Sequence, residues 1–98
     1  MGLLLYFWMD ELKKLILRKL IRASVWGGKH ILGEFVMNGM PENYRNTKQG
    51  KKLIEKTLKE LKNDEWIILL SKKTGKGSSE HISLNPRKKE EIYRFLTS

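Results

Sequence analysis

Residues 46–63 read N-T-K-Q-G-K-K-L-I-E-K-T-L-K-E-L-K-N, and their spacing predicts a single amphipathic helix. At about 100° per residue, Ile54, Leu58 and Leu61 fall on one stripe with Gly50 and Thr57 beside them. Gln49, Lys52, Lys56 and Lys59 project from the opposite side. Arg45, Lys48, Lys51, Lys52, Lys56, Lys59 and Lys62 meet only Glu55 and Glu60 as counter-charges along this stretch. The apolar stripe is built to pack. The cationic stripe is either a solvated face or a contact for a polyanion. Asn46 with Gln49 three residues on predicts a capping-box start, and the end near Asn63-Asp64 is less sharply marked.

Length and charge bound the possibilities around that helix. A chain of 98 residues forms one small core and has no room for a second independently folding unit. Hydrophobic residues make up 40% and charged residues 32%, which excludes a disordered or membrane-embedded composition. The net charge of +9 favours nucleic acid or an anionic surface as partner over an acidic small substrate. With no cysteine there is no disulfide framework, thiol nucleophile or thiolate metal site.

In chain order, M-G-L-L-L-Y-F-W-M at 1–9 is an apolar run under half the length needed to cross a bilayer, and it lacks the basic start and cleavage site of a secretory signal. We expect no membrane association and a cytoplasmic location. Either translation starts at Met9, or the run packs on the domain or on a second subunit. The expected organisation is an apolar extension over 1–9 and one domain over 10–98. A helix is predicted from Asp10 to about Ser24, with Leu12, Leu15, Ile16, Leu20 and Ala23 on its core face. Leu17 and Ile21 widen that face, which hints at a second contact surface or a helix covered on both sides. Gly27-Gly28 breaks the chain. A short helix then runs to about Asn38 with Leu32, Phe35 and Val36 as core candidates, stopped by Gly39 and Pro41. Met40 to Arg45 connects to the lysine helix, with a turn of helix beginning at Pro41. Glu65 to Ser71 and Glu80 to Leu84 read as paired strands around T-G-K-G-S-S, and Asn85-Pro86 opens a last helix with Ile92, Phe95 and Leu96 buried.

The segments W-G-G-K-H-I, W-I-I-L-L-S-K-K-T-G-K-G, and H-I-S-L-N-P leading into R-K-K-E-E-I resemble small archaeal winged-helix proteins over roughly residues 10–96. The resemblance implies an α+β winged helix-turn-helix fold: a three-helix core with a β-hairpin wing and a C-terminal helix. It implies that the helix from Asn46 enters the DNA major groove, that Lys29-His30-Ile31 is a third strand beside the hairpin, and that 72–79 is the wing. The DNA-contacting set is then Lys29, Arg45, Asn46, Lys48, Gln49, Lys52, Lys56 and Lys59, with Lys72, Lys73 and Lys76 on the wing. Two features depart from the pattern: the apolar first nine residues, and Gly33 inside the second helix, where it should cost about 1 kcal/mol relative to Ala.

The expected function is double-stranded DNA binding, as in a transcriptional regulator. Lysines supply affinity, whereas Asn46, Gln49 and Arg45 are the base-reading types, so sequence specificity per subunit should be modest. A homodimer through residues 1–24 is expected, since Leu3, Leu4, Leu5, Phe7 and Trp8 are more apolar surface than a small domain exposes. The competing readings are a protein–protein interaction module with a solvated basic face, and an RNA-binding module, against which stands the lack of an aromatic stacking platform. No catalytic constellation stands out, and no enzyme activity or cofactor is expected. His30 and His81 are expected to flank the sheet by packing and not to bind metal, because two imidazoles leave tetrahedral coordination incomplete.

Overall fold

The computed structural model describes the backbone of residues 2–74 and 77–98 and the side chains of residues 9–71 and 80–98. Among these residues the chain is α+β, with five α-helices and one three-stranded antiparallel sheet. α1 spans Gly2–Arg22. It does not begin at Asp10: no proline or glycine interrupts residues 3–26, so the apolar run and the amphipathic stretch form one helix. Leu12, Ile16, Leu17 and Leu20 are fully buried. Leu17 therefore belongs to the core and not to a second surface. The wide apolar face is used because α1 is covered from several sides by later helices and the sheet.

α1 ends earlier than the Gly27-Gly28 break. Val25 N–H donates to Leu20 O and Ser24 N–H to Ile21 O, the paired closure in which one residue turns left-handed; that residue is Ser24, at φ 55°. Val25 then folds back into the core beside Leu20, and Ala23, expected in the core, lies exposed at the helix end. Gly27, at φ 65°, turns the chain alongside the end of the sheet, its N–H donating to Leu84 O at 3.0 Å.

β1 is Ile31–Leu32, beginning two residues and ending one residue later than Lys29-His30-Ile31, and α2 follows as Gly33–Asn38. Gly33 is thus the first helical residue, where the expected interior penalty does not apply. Because α2 starts so late, its phase changes. Val36 is buried, but Leu32 is 45% and Phe35 56% exposed, Phe35 lying under the Lys19 ammonium at 4.4 Å. α3, Glu42–Arg45, occupies the connection after Pro41, and α4 spans Lys48–Asn63. α4 closes as α1 does, with Trp66 N–H to Leu61 O, Glu65 N–H to Lys62 O, and Glu65 at φ 63°.

β2, Ile67–Thr74, and β3, Gly77–Leu84, pair from Ile67↔Leu84 to Thr74↔Gly77. Strand backbone therefore takes Thr74 and Gly77 to Ser79 out of the T-G-K-G-S-S stretch, which the sequence predicts as a flexible turn. β1 pairs with the other side of β3, giving the order β1-β3-β2. Ile67, Ile82 and Leu84 seal the sheet against α1. Asn85 caps the next turn, its Oδ1 accepting from Arg87 N–H at 3.1 Å; Pro86–Lys88 is a 3₁₀ turn and α5 is Lys89–Leu96, with Ile92 fully buried and Phe95 and Leu96 packed beside it. No helix of the described residues is long and apolar enough to cross a membrane.

Candidate nucleic-acid interface

The placement of α4 starts at its first turn. Thr47, extended at φ −120° and ψ 152°, is the N-cap, and its Oγ1 accepts from Gly50 N–H at 2.9 Å. Asn46 instead closes α3, so the capping box expected from Asn46 does not form: counted from Thr47, Gln49 stands at the second helical position and Gly50 at the third. Thr47 Oγ1 also donates to Asn43 O at 3.0 Å, locking the two-residue turn between α3 and α4. Gly50 is buried against Tyr44: a Cβ there would lie 2.5 Å from the Tyr44 Cα and closer still to its carbonyl oxygen. Only glycine lets the two backbones approach this closely.

Deeper in the helix, Ile54, Thr57, Leu58 and Leu61 are buried as the spacing predicts. The Thr57 hydroxyl is satisfied within the helix, donating to Leu53 O at 2.6 Å. On one flank Lys13 of α1 reaches Glu60 at 3.3 Å. On the other flank Glu55 lines a cleft. Lys48, Gln49, Lys52, Lys56 and Lys59 stand exposed on the outer crest of α4, with exposed Glu55 at its cleft-side edge. Among the described residues none of these four lysines makes an ion pair.

The remaining predicted residues divide. Arg45 is held: its Nη1 donates to Asn38 O at 3.2 Å and its Nη2 lies 3.6 Å from Glu42, so it ties α3 to the end of α2. Asn46 is exposed in the turn at the foot of α4. Lys29 is exposed in the loop before β1, on a different element from the crest. Lys72 and Lys73 lie on β2, but their side chains, and Lys76 altogether, fall outside the described residues.

Sequence reasoning did not anticipate the cleft. It is a volume of about 880 Å³ between α2, α4 and the sheet, with Met37, Leu58 and Leu69 as its apolar lining. Lys51 and Lys62, counted in the sequence with the basic stripe, face this cleft beside Glu34, Glu55 and Glu80. Lys59 of the crest borders the same cleft, so the two surfaces share an edge. His30 and His81, 51 residues apart, meet with Nδ1 atoms 2.9 Å apart. No group of three or more metal-ligating side chains occurs among the described residues. No protein-family model matches the chain, and no curated protein matches it.

Proposed function

We propose that this chain is a double-stranded DNA-binding protein of winged helix-turn-helix type, acting as a transcriptional regulator in the cytoplasm, with no catalytic activity of its own. The observation that carries the reading is the lysine crest of α4: Lys48, Lys52, Lys56 and Lys59 are exposed together with Gln49, and among the described residues none of the four lysines makes an ion pair. They stand on a helix of about 24 Å whose other side is pinned to the core. A crest of this length and sign suits a major groove lined by phosphates. Gln49 and Asn46, at the foot of the helix, supply the amides that read base edges, and the β2–β3 hairpin meets the flanking backbone. A dimer formed through residues 1–24 would place two such helices on a twofold site.

A second reading draws on the cleft. Exposed Leu32, the apolar lining and the mixed charges around it suit a partner protein better than a polyanion. The two separate by salt-dependent binding to duplex DNA, with single-stranded DNA and RNA as competitors. DNA binding predicts a steep salt slope to which each phosphate-contacting lysine adds about 0.9. Lys52→Ala should flatten that slope by about one unit and weaken binding equally on all sequences, whereas Gln49→Ala should cost about 1–3 kcal/mol on the preferred site only. Duplex affinity no better than millimolar at about 50 mM salt, or a slope untouched by the lysine substitutions, would replace this reading with the protein-interaction one.

A further inference from the structure

β1 is a very short strand, and its attachment to β3 rests on two register pairs, Ile31↔Ile82 and Leu32↔His81. Immediately before it, His30 reaches across to His81. The two part-buried imidazoles meet edge to face, with ring centroids 4.6 Å apart, planes at 85° and Nδ1 atoms at 2.9 Å. That separation is a nitrogen–nitrogen hydrogen bond. Its proton inventory is restrictive: one ring must carry its hydrogen on Nδ1 and donate it, while the other must keep Nδ1 bare and carry its hydrogen on Nε2.

We propose that His30 and His81 form an acid-opened clasp that holds β1 and the start of α2 against β3. A first added proton goes to the bare Nε2 of the donor ring and leaves the Nδ1–H···Nδ1 bond intact. A second can go only to the accepting Nδ1, which removes the acceptor and sets two imidazolium rings face to edge. The clasp is therefore closed with no added proton or one, and open with two. Histidine is the side chain that takes up a proton most readily on mild acidification, so acid supplies the signal that opens the clasp. Charged neighbours along the chain are Lys29 beside His30, Glu80 beside His81 and Glu34 at the start of α2. In the sheet register Leu70 of β2 and Leu32 of β1 stand opposite His81. Gly33 packs on the β3 backbone, where a Cβ would touch Glu80 O at 3.4 Å, so loosening β1 also loosens the seat of α2. Leu32, Glu34 and Glu80 line the cleft beside α4, and opening the clasp changes that wall. The clasp does not depend on DNA binding.

Nitrogen-15 NMR of the full-length protein tests it directly. At about pH 7.5 we expect a through-hydrogen-bond coupling between the two Nδ1 nuclei, and two coupled titration steps in place of two separate ones. Near pH 5 the coupling should vanish. Amide exchange of Leu32 and Ile82, corrected for its intrinsic pH dependence, should then rise more than tenfold while that of Ile92 in α5 stays unchanged. His30→Gln and His81→Gln should each remove this selective acid response. Independent single-proton titrations without nitrogen–nitrogen coupling would overturn the proposal. So would metal-free protein lacking the acid response while stoichiometric zinc bridges both rings, which would make the pair a chelate.

Discussion

At Gly50 the chain tolerates nothing larger, because the obstacle is the Tyr44 backbone and not a side chain that could rotate away. Gly50→Ala must push α3 and α4 apart, and overpacking of this kind costs about 1–3 kcal/mol. Urea denaturation should show that loss; a variant as stable as the parent would mean that the α3–α4 turn is more open than described. Glu65 presents the opposite case. It holds φ 63° with a Cβ, its carbonyl accepting from Asn85 Nδ2 at 2.7 Å. Left-handed backbone costs an ordinary L-residue about 1–2 kcal/mol, and glycine escapes it while adding about 0.4–1 kcal/mol of unfolded-chain entropy. Glu65→Gly should therefore raise stability by up to about 1 kcal/mol, and Ser24→Gly likewise at φ 55°. A lowered thermal midpoint for both would show that the closures rest on those side chains.

Among the elements, α4 was the most legible in the sequence, since one long apolar spacing and one long polar spacing agree; every core position read from it is buried. Its start was misread by one residue because Asn46 and Thr47 are both capping types, and choosing between them needs Asn43 and Gly50, which only the fold brings together. The difference can be measured: Thr47→Ala should cost about 1 kcal/mol, and Asn46→Ala, which removes no cap, much less. Equal losses would restore the earlier start. The ends of α1 and α4 were poorly legible because their left-handed residues are serine and glutamate where glycine usually signals the position. α2 was misphased because β1 takes Leu32 first, so Leu32 and Phe35 lose their expected burial to pairing and to Lys19. The hairpin was found, but its strands were drawn short: Gly77, Ser78 and Ser79 look like turn residues, yet β3 begins at Gly77. The cleft left no sequence signal, because it is made by segments distant along the chain; His30 and His81 were placed at the sheet, but their direct contact was not legible.

For the whole molecule, continuity of α1 changes what the first residues can do. The helix runs from Gly2 through Asp10 without a break, and Met9, Leu12, Ile16 and Leu20 fix its rotation against the domain. Leu3, Leu4, Leu5, Tyr6, Phe7 and Trp8 are therefore carried on helical backbone leading directly into the core, in a chain whose remaining surface is strongly cationic. Hydrophobic side chains gathered on a helix end are a common means of self-association, and two copies joined this way would present two α4 crests in fixed relation. Sedimentation at micromolar concentration should then give twice the chain mass of 11.6 kDa, falling to the single mass when residues 1–8 are removed. The shortened protein should still bind a half-site through α4, with the salt slope of a single crest in place of the steeper slope of two. An intact protein that sediments as a single chain, with the same slope before and after shortening, would assign the apolar turns to packing within one molecule.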